Sequence, residues 1–147
     1  MRKRLVVVAT NDESRLADGY VGLVTGVGAL NVIRNLAPID RNTPILNVGY
    51  AGSNSIPVGT RVRVGKVSSY HPNVKFDEPT YKLDGEIPCY TSSDFVTQTD
   101  IDEPCVFDME LAYILAMGFT DVVSEKVVSD NLSMGEYERN VGEDANG

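Results

Sequence analysis

The chain has 147 residues, of which 21 are acidic and 13 are basic, and its net charge is -8. A chain of this length predicts a single domain, residues 1–147, that buries about two-thirds of the surface its unfolded form exposes. The negative charge repels phosphate backbones and anionic lipid surfaces, which argues against nucleic-acid polymers and membranes as partners.

Cysteine, histidine and apolar content narrow the class further. Two cysteines and one histidine, with no metal-ligand spacing, predict no metal site and reduced thiols at Cys89 and Cys105. The apolar run over residues 5–9 is too short for the core of a signal peptide, and no other run approaches the roughly 20 residues of a membrane span. We therefore expect a cytoplasmic protein.

The chain opens with a pattern typical of a buried strand. Residues 4–9, RLVVVA, are rich in β-branched side chains, as in strands covered on both faces. Polar residues from Thr10 onward can cap a short helix that reaches Leu16. Glu13 then lies just past the carboxyl end of the strand, although taken alone it could be a solvated glutamate in a first helical turn.

A glycine pair separates the next strand from the next helix. Residues 20–25 predict a strand and residues 29–36 a helix, with Gly26-Val27-Gly28 between them. Such a pair lets a backbone or a ligand approach the amide-rich end of the helix, and Gly28 is a candidate binding residue for that reason. The third glycine of a dinucleotide-binding loop is missing, so a plain tight turn also fits.

The middle of the chain predicts shorter elements and one long loop. Residues 45–49 predict a third strand that ends in a small-residue turn, residues 50–53. Residues 61–69 alternate valine with polar side chains, in the period of a half-exposed strand. Residues 70–88 are polar and predict a long loop of the kind that often contributes to function or to subunit contacts. Short strands are predicted at residues 89–91 and 95–97.

The stretch over residues 106–130 predicts a buried helix followed by a strand. Between Phe107 and Phe119 the only charged residues are Asp108 and Glu110, and the other side chains leave no polar face, which indicates a buried helix. Residues 122–129 predict a strand that ends at Asp130. Buried carboxylates are rare unless they are paired or used, so Glu110 and Asp130 could face one pocket beyond the strand ends.

A plainer interpretation of these acids also stands. Carboxylates in the first turn of a helix are favoured by the helix dipole, so Asp108 and Glu110 could simply begin the helix, and Asp130 could open a loop. We prefer this interpretation for Asp108 and leave Glu110 and Asp130 open on local grounds. The residues after 130 have little apolar content, and we expect them to fray.

Five segments, in this order, resemble the nucleoside phosphorylase/nucleosidase superfamily, most closely its 5'-methylthioadenosine/S-adenosylhomocysteine nucleosidase branch. The segments are Val8-Ala9 with Glu13, Thr25 to Gly28 with Asn31, Asn47 to Gly52, Val58-Gly59 through Tyr70-His71, and Asp108-Met109-Glu110 followed by Val128-Ser129-Asp130. The resemblance implies an α/β fold, a twisted mixed sheet flanked by helices, in a shortened form. It also implies a homodimer, a purine nucleoside across the strand ends, and no cofactor.

The resemblance implies two catalytic acids and a carboxylate at the sugar. Asp130 matches the acid that protonates or hydrogen-bonds N7 of the purine, and Glu13 matches the acid that positions the attacking water. Glu110 matches the carboxylate that holds the ribose hydroxyls, with Met109 packed against the sugar. Such groups suit an oxocarbenium-like transition state. Asp130 would need a pKa raised by burial.

The remaining implied contacts are at the base and at a subunit boundary. Phe95 matches the aromatic residue that stacks on the base, and the Val96 backbone would contact the edge of the base. Phe76 would reach into the site of a partner subunit. Tyr50 stands where the family usually has serine or threonine, so a phenol could intrude on the pocket and change the choice of substrate.

The sequence therefore predicts an enzyme that hydrolyses the N-glycosidic bond of a purine nucleoside or thionucleoside. No arginine stands beside Asn47 to Tyr50, where phosphorylase relatives hold phosphate, which favours water as nucleophile. Two alternatives remain within the family: a phosphate-dependent phosphorylase, and a non-catalytic nucleoside-binding protein that the shortening and Tyr50 would favour. A plain α/β interaction domain is a further alternative, but it leaves the buried acids without an explanation.

Overall fold

The computed structural model describes residues 3–142. Its strands are β1 (Leu5–Val8), β2 (Leu23–Val24), β3 (Ile45–Ser53), β4 (Arg61–Ser69), β5 (Tyr81–Lys82), β6 (Ile87–Thr91), β7 (Val106–Asp108) and β8 (Val122–Asp130). Its helices are a 3-10 helix (Asn11–Ala17), α1 (Ala29–Leu36), α2 (Leu111–Ala116), α3 (Met134–Tyr137) and a π-helical turn (Glu138–Gly142). Among the described residues, no helix has both the length and the apolar character needed to cross a bilayer.

The strands form one mixed sheet, which confirms the predicted fold class. Strand β3 pairs in parallel with β1 on one side and with β8 on the other. Strand β8 continues antiparallel to β4, β4 parallel to β6, and β6 parallel to β7. Strand β7 returns antiparallel to β3. These five strands, β3, β8, β4, β6 and β7, therefore close a ring of pairings, and the carboxyl ends of β1, β3 and β8 lie at the same edge.

The core is made of branched apolar side chains from the sheet and from helices α1 and α2. Nine of its members are fully buried: Val7, Val32, Leu36, Ile45, Val64, Val67, Val106, Leu111 and Ile114. In α1, Val32 and Leu36 are four residues apart and face this core, as expected for one side of a helix. The opposite side of α1 leaves Leu30 and Ile33 exposed.

Several predicted elements are confirmed by the structure. The helix at residues 29–36 and the strand at residues 61–69 form with the predicted bounds. The strand at residues 4–9, the short helix after Thr10 and the strand before Asp130 form with ends shifted by a residue or two. The β-branched runs and the capping residues were therefore sufficient signals in these places.

Two predictions along the central strands are wrong. Residues 50–53 are not a turn, because β3 continues to Ser53 and pairs there with β7 and β8. The buried helix does not start at Phe107: residues 106–108 form β7, and α2 begins at Leu111. In both cases a neighbouring strand supplies hydrogen-bond partners that the local sequence does not reveal.

Three further stretches depart from expectation. Residues 95–97 form no strand, and the predicted loop over residues 70–88 contains β5 and the start of β6. Residues 131–142 do not simply fray, because α3 and the π-helical turn form there and Val141 is buried. The rest of the tail for which we expected fraying, residues 143–147, lies outside the described residues.

Candidate active site

A cavity of about 240 Å³ lies where β1, β3 and β8 end, and four acidic residues line it: Asp108 and the three predicted site acids, Glu13, Glu110 and Asp130. The exposed fractions of Glu13, Glu110 and Asp130 are 7%, 8% and 0%. We call it the acidic cavity. The other predicted site residues in its lining are Tyr50, Phe95 and Met109, and the tail adds Met134 and Tyr137. Acids 97 and 20 positions apart along the chain thus share one space, because the parallel strands bring their carboxyl ends together.

Backbone amides hold the carboxylate of Glu13. Its Oε1 accepts hydrogen bonds from the N–H groups of Ala9 at 2.8 Å and Thr10 at 3.2 Å, and its Oε2 accepts one from Tyr50 N–H at 2.8 Å. Burial raises the pKa of Glu13, and it does so against the opposing effects of the positive charge on Lys126 and these three hydrogen bonds. The side chain is therefore fixed in orientation and made more basic.

Two glycines of β3 make room for two of the acids. A Cβ atom at Gly49 would lie 2.7 Å from Oε2 of Glu13, which is closer than real Cβ contacts occur. A Cβ atom at Gly52 would lie 3.0 Å from Oδ2 of Asp130. Since the strand has no side chain at these two positions, both carboxylates can approach its backbone.

Glu110 stands at the N-terminal end of α2, and its carboxylate reaches helix α1. Its Oε2 accepts a hydrogen bond of 3.0 Å from Gly28 N–H, and Gly28 has a φ of 88°, which favours glycine. Burial and the nearby charge of Asp108 raise the pKa of Glu110 to about 7, despite the opposing effects of Lys126 and Gly28. Gly28 itself does not line the acidic cavity. Its backbone N–H holds the carboxylate of Glu110 in position.

The ion pair beneath these acids joins Asp108 to Lys126. Nζ of Lys126 lies 3.2 Å from Oδ2 of Asp108, and both side chains are buried. Asp108 also accepts hydrogen bonds from Leu111 N–H at 2.8 Å and from the hydroxyl of Thr91 at 2.5 Å. Although burial acts in the opposite direction, Lys126 and these hydrogen bonds lower the pKa of Asp108. Asp108 is therefore the last residue of β7 and not the first residue of the helix, although its carboxylate accepts a hydrogen bond from Leu111 N–H at the start of α2. It also neutralises a buried lysine.

Lys126 is a residue that sequence reasoning missed. It is 1% exposed in the middle of β8, a strand in which every residue except Glu125 and Val127 is buried. Burial lowers the pKa of a lysine, but the pairing with Asp108 raises the pKa of Lys126 above its ordinary value. The sequence contained a signal for this ion pair, because a lysine in a strand that is predicted to be buried requires an acid as partner.

Asp130 is completely buried at the end of β8. Its Oδ1 accepts a hydrogen bond of 2.7 Å from the hydroxyl of Ser129, and its Oδ2 accepts one of 3.0 Å from Leu132 N–H. Burial raises the pKa of Asp130, and these hydrogen bonds oppose the shift. Asp130 also lines a smaller adjoining cavity of about 30 Å³.

The remaining predicted site residues divide between the cavity and its surroundings. The ring of Phe95 packs edge-on against Tyr137, with centroids 5.4 Å apart. Val96 lines the smaller adjoining cavity together with Phe95 and Asp130, so it borders the acidic cavity without entering it. Phe76 is 60% exposed and lies in a separate groove beside His71. Within this chain, Phe76 does not reach the three acids.

The charged side chains in the described lining of the acidic cavity are all carboxylates. Within residues 3–142, no group of three or more histidine, cysteine, aspartate or glutamate side chains is arranged to hold a metal ion. The three acids can instead donate or accept protons, since burial raises the pKa of each one.

Comparison with solved structures identifies the fold. A variant of the 5'-methylthioadenosine/S-adenosylhomocysteine nucleosidase (MTAN) of Chlamydia trachomatis superimposes with a TM-score of 0.77 at 14% identity, covering 95% of this chain and 89% of that one. The chain has the nucleoside phosphorylase/nucleosidase fold. The MTAN of Neisseria meningitidis shares this fold with a TM-score of 0.73 at 16% identity, covering 96% and 92% of the two chains. Futalosine hydrolase of Helicobacter pylori shares it with a TM-score of 0.73 at 13% identity, covering 98% and 92%.

The similarity to this fold is found by comparing three-dimensional structures. No protein-family model matches the chain, and no curated protein matches it at a significant level. Structures of the Chlamydia trachomatis nucleosidase hold MTA and adenine, so that protein binds a nucleoside and a base.

Proposed function

We propose that the protein is a nucleosidase that hydrolyses the N-glycosidic bond of a purine nucleoside or thionucleoside, similar to methylthioadenosine, to free base and sugar. The observation that carries this proposal is the convergence of Glu13, Glu110 and Asp130 on one cavity of about 240 Å³. The nucleosidase fold supports it, because the structural neighbours include proteins of that activity. With a methylthioadenosine-like substrate, the reaction belongs to methionine salvage in the cytoplasm.

Asp130 is the acid of the proposed reaction. Cleavage of the bond between C1' and the purine nitrogen leaves electrons on the base, and a proton on N7 neutralises them. Burial raises the pKa of Asp130, so its carboxyl group retains a proton to a higher pH than an ordinary aspartate. Phe95 lines the same cavity and offers an aromatic face to the base. Val96 lines the smaller adjoining cavity together with Phe95 and Asp130.

Glu110 and Glu13 act on the sugar side. The sugar becomes an oxocarbenium-like cation as the base leaves. Glu110 accepts hydrogen bonds from the ribose hydroxyls beside Met109, and Glu13 accepts a proton from the water that attacks C1'. The three amides that hold Glu13 orient its carboxylate for this step.

Water is the nucleophile in this proposal. Phosphorolysis requires cationic groups around an inorganic phosphate, and arginine is well suited to hold one. Among residues 3–142, the lining of the acidic cavity contains no lysine or arginine. The carboxylates in the lining would repel phosphate, whereas they attract and polarise water.

We further propose that the protein acts as a homodimer through the outer face of α1. Leu30 is 84% exposed, and Ile33, three residues further along α1, is 49% exposed; Val27, which precedes the helix, is 43% exposed. Contiguous exposed apolar side chains mark interaction surfaces. Sedimentation of the Leu30→Glu variant should show monomer where the parent shows dimer, and a parent that sediments as a monomer would contradict this interface.

Release of base from unmodified nucleosides tests the proposed reaction. The protein is incubated with methylthioadenosine, adenosine and inosine, each with and without phosphate, and free base is measured by chromatography. We expect base from at least one nucleoside at the same rate in both buffers. No base from any nucleoside would refute hydrolysis, and base released only with phosphate would identify a phosphorylase.

A non-catalytic nucleoside-binding protein is the second candidate, and Tyr50 in the cavity lining favours it. Calorimetry distinguishes the two functions, because a binding protein would retain a nucleoside tightly without releasing base. Activity of the parent protein that is unchanged in Tyr50→Ser would remove the support for this alternative.

A further inference from the structure

Arg15 holds the side chain of Tyr50 in place at the acidic cavity. The Nε of Arg15 donates a hydrogen bond of 2.6 Å to the hydroxyl of Tyr50, and its guanidinium carbon lies 5.3 Å from the centre of the ring. Tyr50 belongs to the lining of the cavity. Its ring is thus fixed at both ends, by strand β3 and by Arg15.

The same arginine connects Tyr50 to the tail of the chain. A second nitrogen of Arg15 donates a hydrogen bond of 3.1 Å to the carbonyl of Asn140. The side-chain amide of Asn140 donates one of 2.8 Å to the carbonyl of Ser129, next to Asp130. These bonds form a bridge from β3 to the end of β8, and Tyr137 in the intervening tail lines the cavity.

The position of Tyr50 along β3 indicates what it would contact. Gly52, two residues further on, lies against Asp130, and two strand residues span about 7 Å. The backbone of Tyr50 contacts Glu13. A base held at Asp130 therefore has its sugar between Asp130 and Glu13, and the ring of Tyr50, which lines the same cavity, reduces the space left for a substituent on that sugar.

The size of the cavity agrees with a restricted substrate. Its volume of about 240 Å³ is below the range of about 300–1,000 Å³ typical of ligand pockets. We infer that Tyr50, held by Arg15, restricts the site to nucleosides with a short 5' substituent. This inference rests on the proposed function and adds the substrate class and a specificity role for Arg15.

Two neutral thionucleosides that differ only in chain length test the inference. The kcat/KM values for 5'-methylthioadenosine and 5'-butylthioadenosine are measured for the parent protein, and binding of both is measured by calorimetry. We expect the methylthio compound to be preferred by about 10-fold or more, since a single methylene in a closed pocket changes rates by about 10–200-fold. Adenine, which lacks the sugar and its substituent, is the reference ligand.

Variants of Tyr50 and Arg15 separate the effect of the size of the Tyr50 ring from the effect of its fixed position. Tyr50→Ser should lower the preference to about 3-fold or less, and Arg15→Ala should give an intermediate value because the ring remains but is released. Tyr50→Phe, which keeps the ring and loses the hydrogen bond, should resemble Arg15→Ala. Arg63→Ala, at an exposed ion pair with Asp84, serves as the matched control and should retain the parental preference.

The outcomes for selectivity and for the reaction are distinguishable. Equal use of both thionucleosides by the parent, or an unchanged preference in Tyr50→Ser, would overturn the inference while base release upholds the proposed reaction. If no base is released but calorimetry shows the expected selectivity, the inference holds and hydrolysis fails. If neither thionucleoside binds, both are overturned.

Discussion

The ammonium group of Lys126 lies 3.2 Å from a carboxylate oxygen of Asp108, with exposed side-chain fractions of 1% and 0%. Glu13 and Glu110 lie close enough that the positive charge on Lys126 lowers the pKa of each, while burial raises both. The positive charge of one lysine thus acts on three carboxylates. Asp108 neutralises it, while the pKa of Glu13 and the pKa of Glu110 both remain above their ordinary values because burial outweighs the effect of the lysine.

Replacement of Lys126 by methionine should lower the free energy of unfolding by about 3–5 kcal/mol, because Asp108 would remain buried without its partner. Urea titration at pH 7 measures this loss. The double variant Lys126→Met with Asp108→Asn should recover part of it, since no unpaired charge is left. Lys82→Met, at an exposed position, is the control. A loss below about 1 kcal/mol in Lys126→Met would show that the ion pair does not stabilise the fold.

The sequence predicted the elements whose signals are local. Helix α1 and strand β4 appear with the expected bounds, since helical period, glycine punctuation and strict alternation are all encoded in neighbouring residues. The continuation of β3 to Ser53 and the short strand β7 were missed. Their residues pair with strands more than 50 positions away, and that pairing overrides the turn and helix preferences of the local sequence.

The site, like the fold, could be predicted only in part, because some of its contacts join residues that are distant in the sequence. The family resemblance indicated Glu13, Glu110 and Asp130, and the structure brings them to one cavity. Lys126 and Arg15 were missed because each has its role only through residues distant in sequence, namely Asp108, Tyr50 and Asn140. The contact of Phe76 with a partner's site stays a prediction, and the ring is exposed in this chain.

Stability should decrease as the pH rises from about 4.5 to about 7, and Glu110 should cause much of the change. The folded protein retains the proton of Glu110 up to a pKa of about 7, whereas the unfolded chain loses it near the ordinary value of 4.5. The folded state therefore binds more protons in this window, so the free energy of unfolding falls as the pH rises. The full difference is about 3 kcal/mol.

Urea titrations at several pH values between 4 and 8 check this slope. Glu110→Gln keeps an oxygen for the Gly28 N–H and cannot ionise, so its curve should be flatter than that of the parent. Glu13 and Asp130 act in the same direction as Glu110, which leaves some slope in the variant. Asp108 acts oppositely, but its lowered pKa places its titration below the window. Parallel curves for parent and variant would contradict the assignment to Glu110.

Replacement of Asp130 by asparagine should reduce base release by about 10²–10⁴-fold and leave the fold intact, because the change removes a proton donor at constant size. The hydroxyl of Ser129 can accept a hydrogen bond from the new amide, so the buried position stays satisfied. Turnover of methylthioadenosine and the unfolding midpoint are measured together. Asp84→Asn, at the exposed pair with Arg63, provides the control. Full activity in Asp130→Asn would exclude Asp130 as the acid.

Gly49 of β3 leads to a prediction about steric fit, because it leaves space for the carboxylate of Glu13. Gly49→Ala places a Cβ atom 2.7 Å from Oε2 and 3.3 Å from Cδ of Glu13, so the carboxylate has to move. Because Glu13 is held by three amides, this movement breaks hydrogen bonds. We expect a loss of about 1–3 kcal/mol in the free energy of unfolding, as for other overpacked sites, and a large loss of base release.

A double variant isolates the cause of that loss. In Gly49→Ala with Glu13→Ala the steric conflict is gone, so stability should be higher than the sum of the two single changes predicts. Activity should remain low in the single and the double variant that carry Glu13→Ala, since Glu13 positions the water in the proposed reaction. Urea titration and base release are measured on the same four proteins. Strictly additive free energies would mean that Gly49 is needed for a reason other than the approach of Glu13.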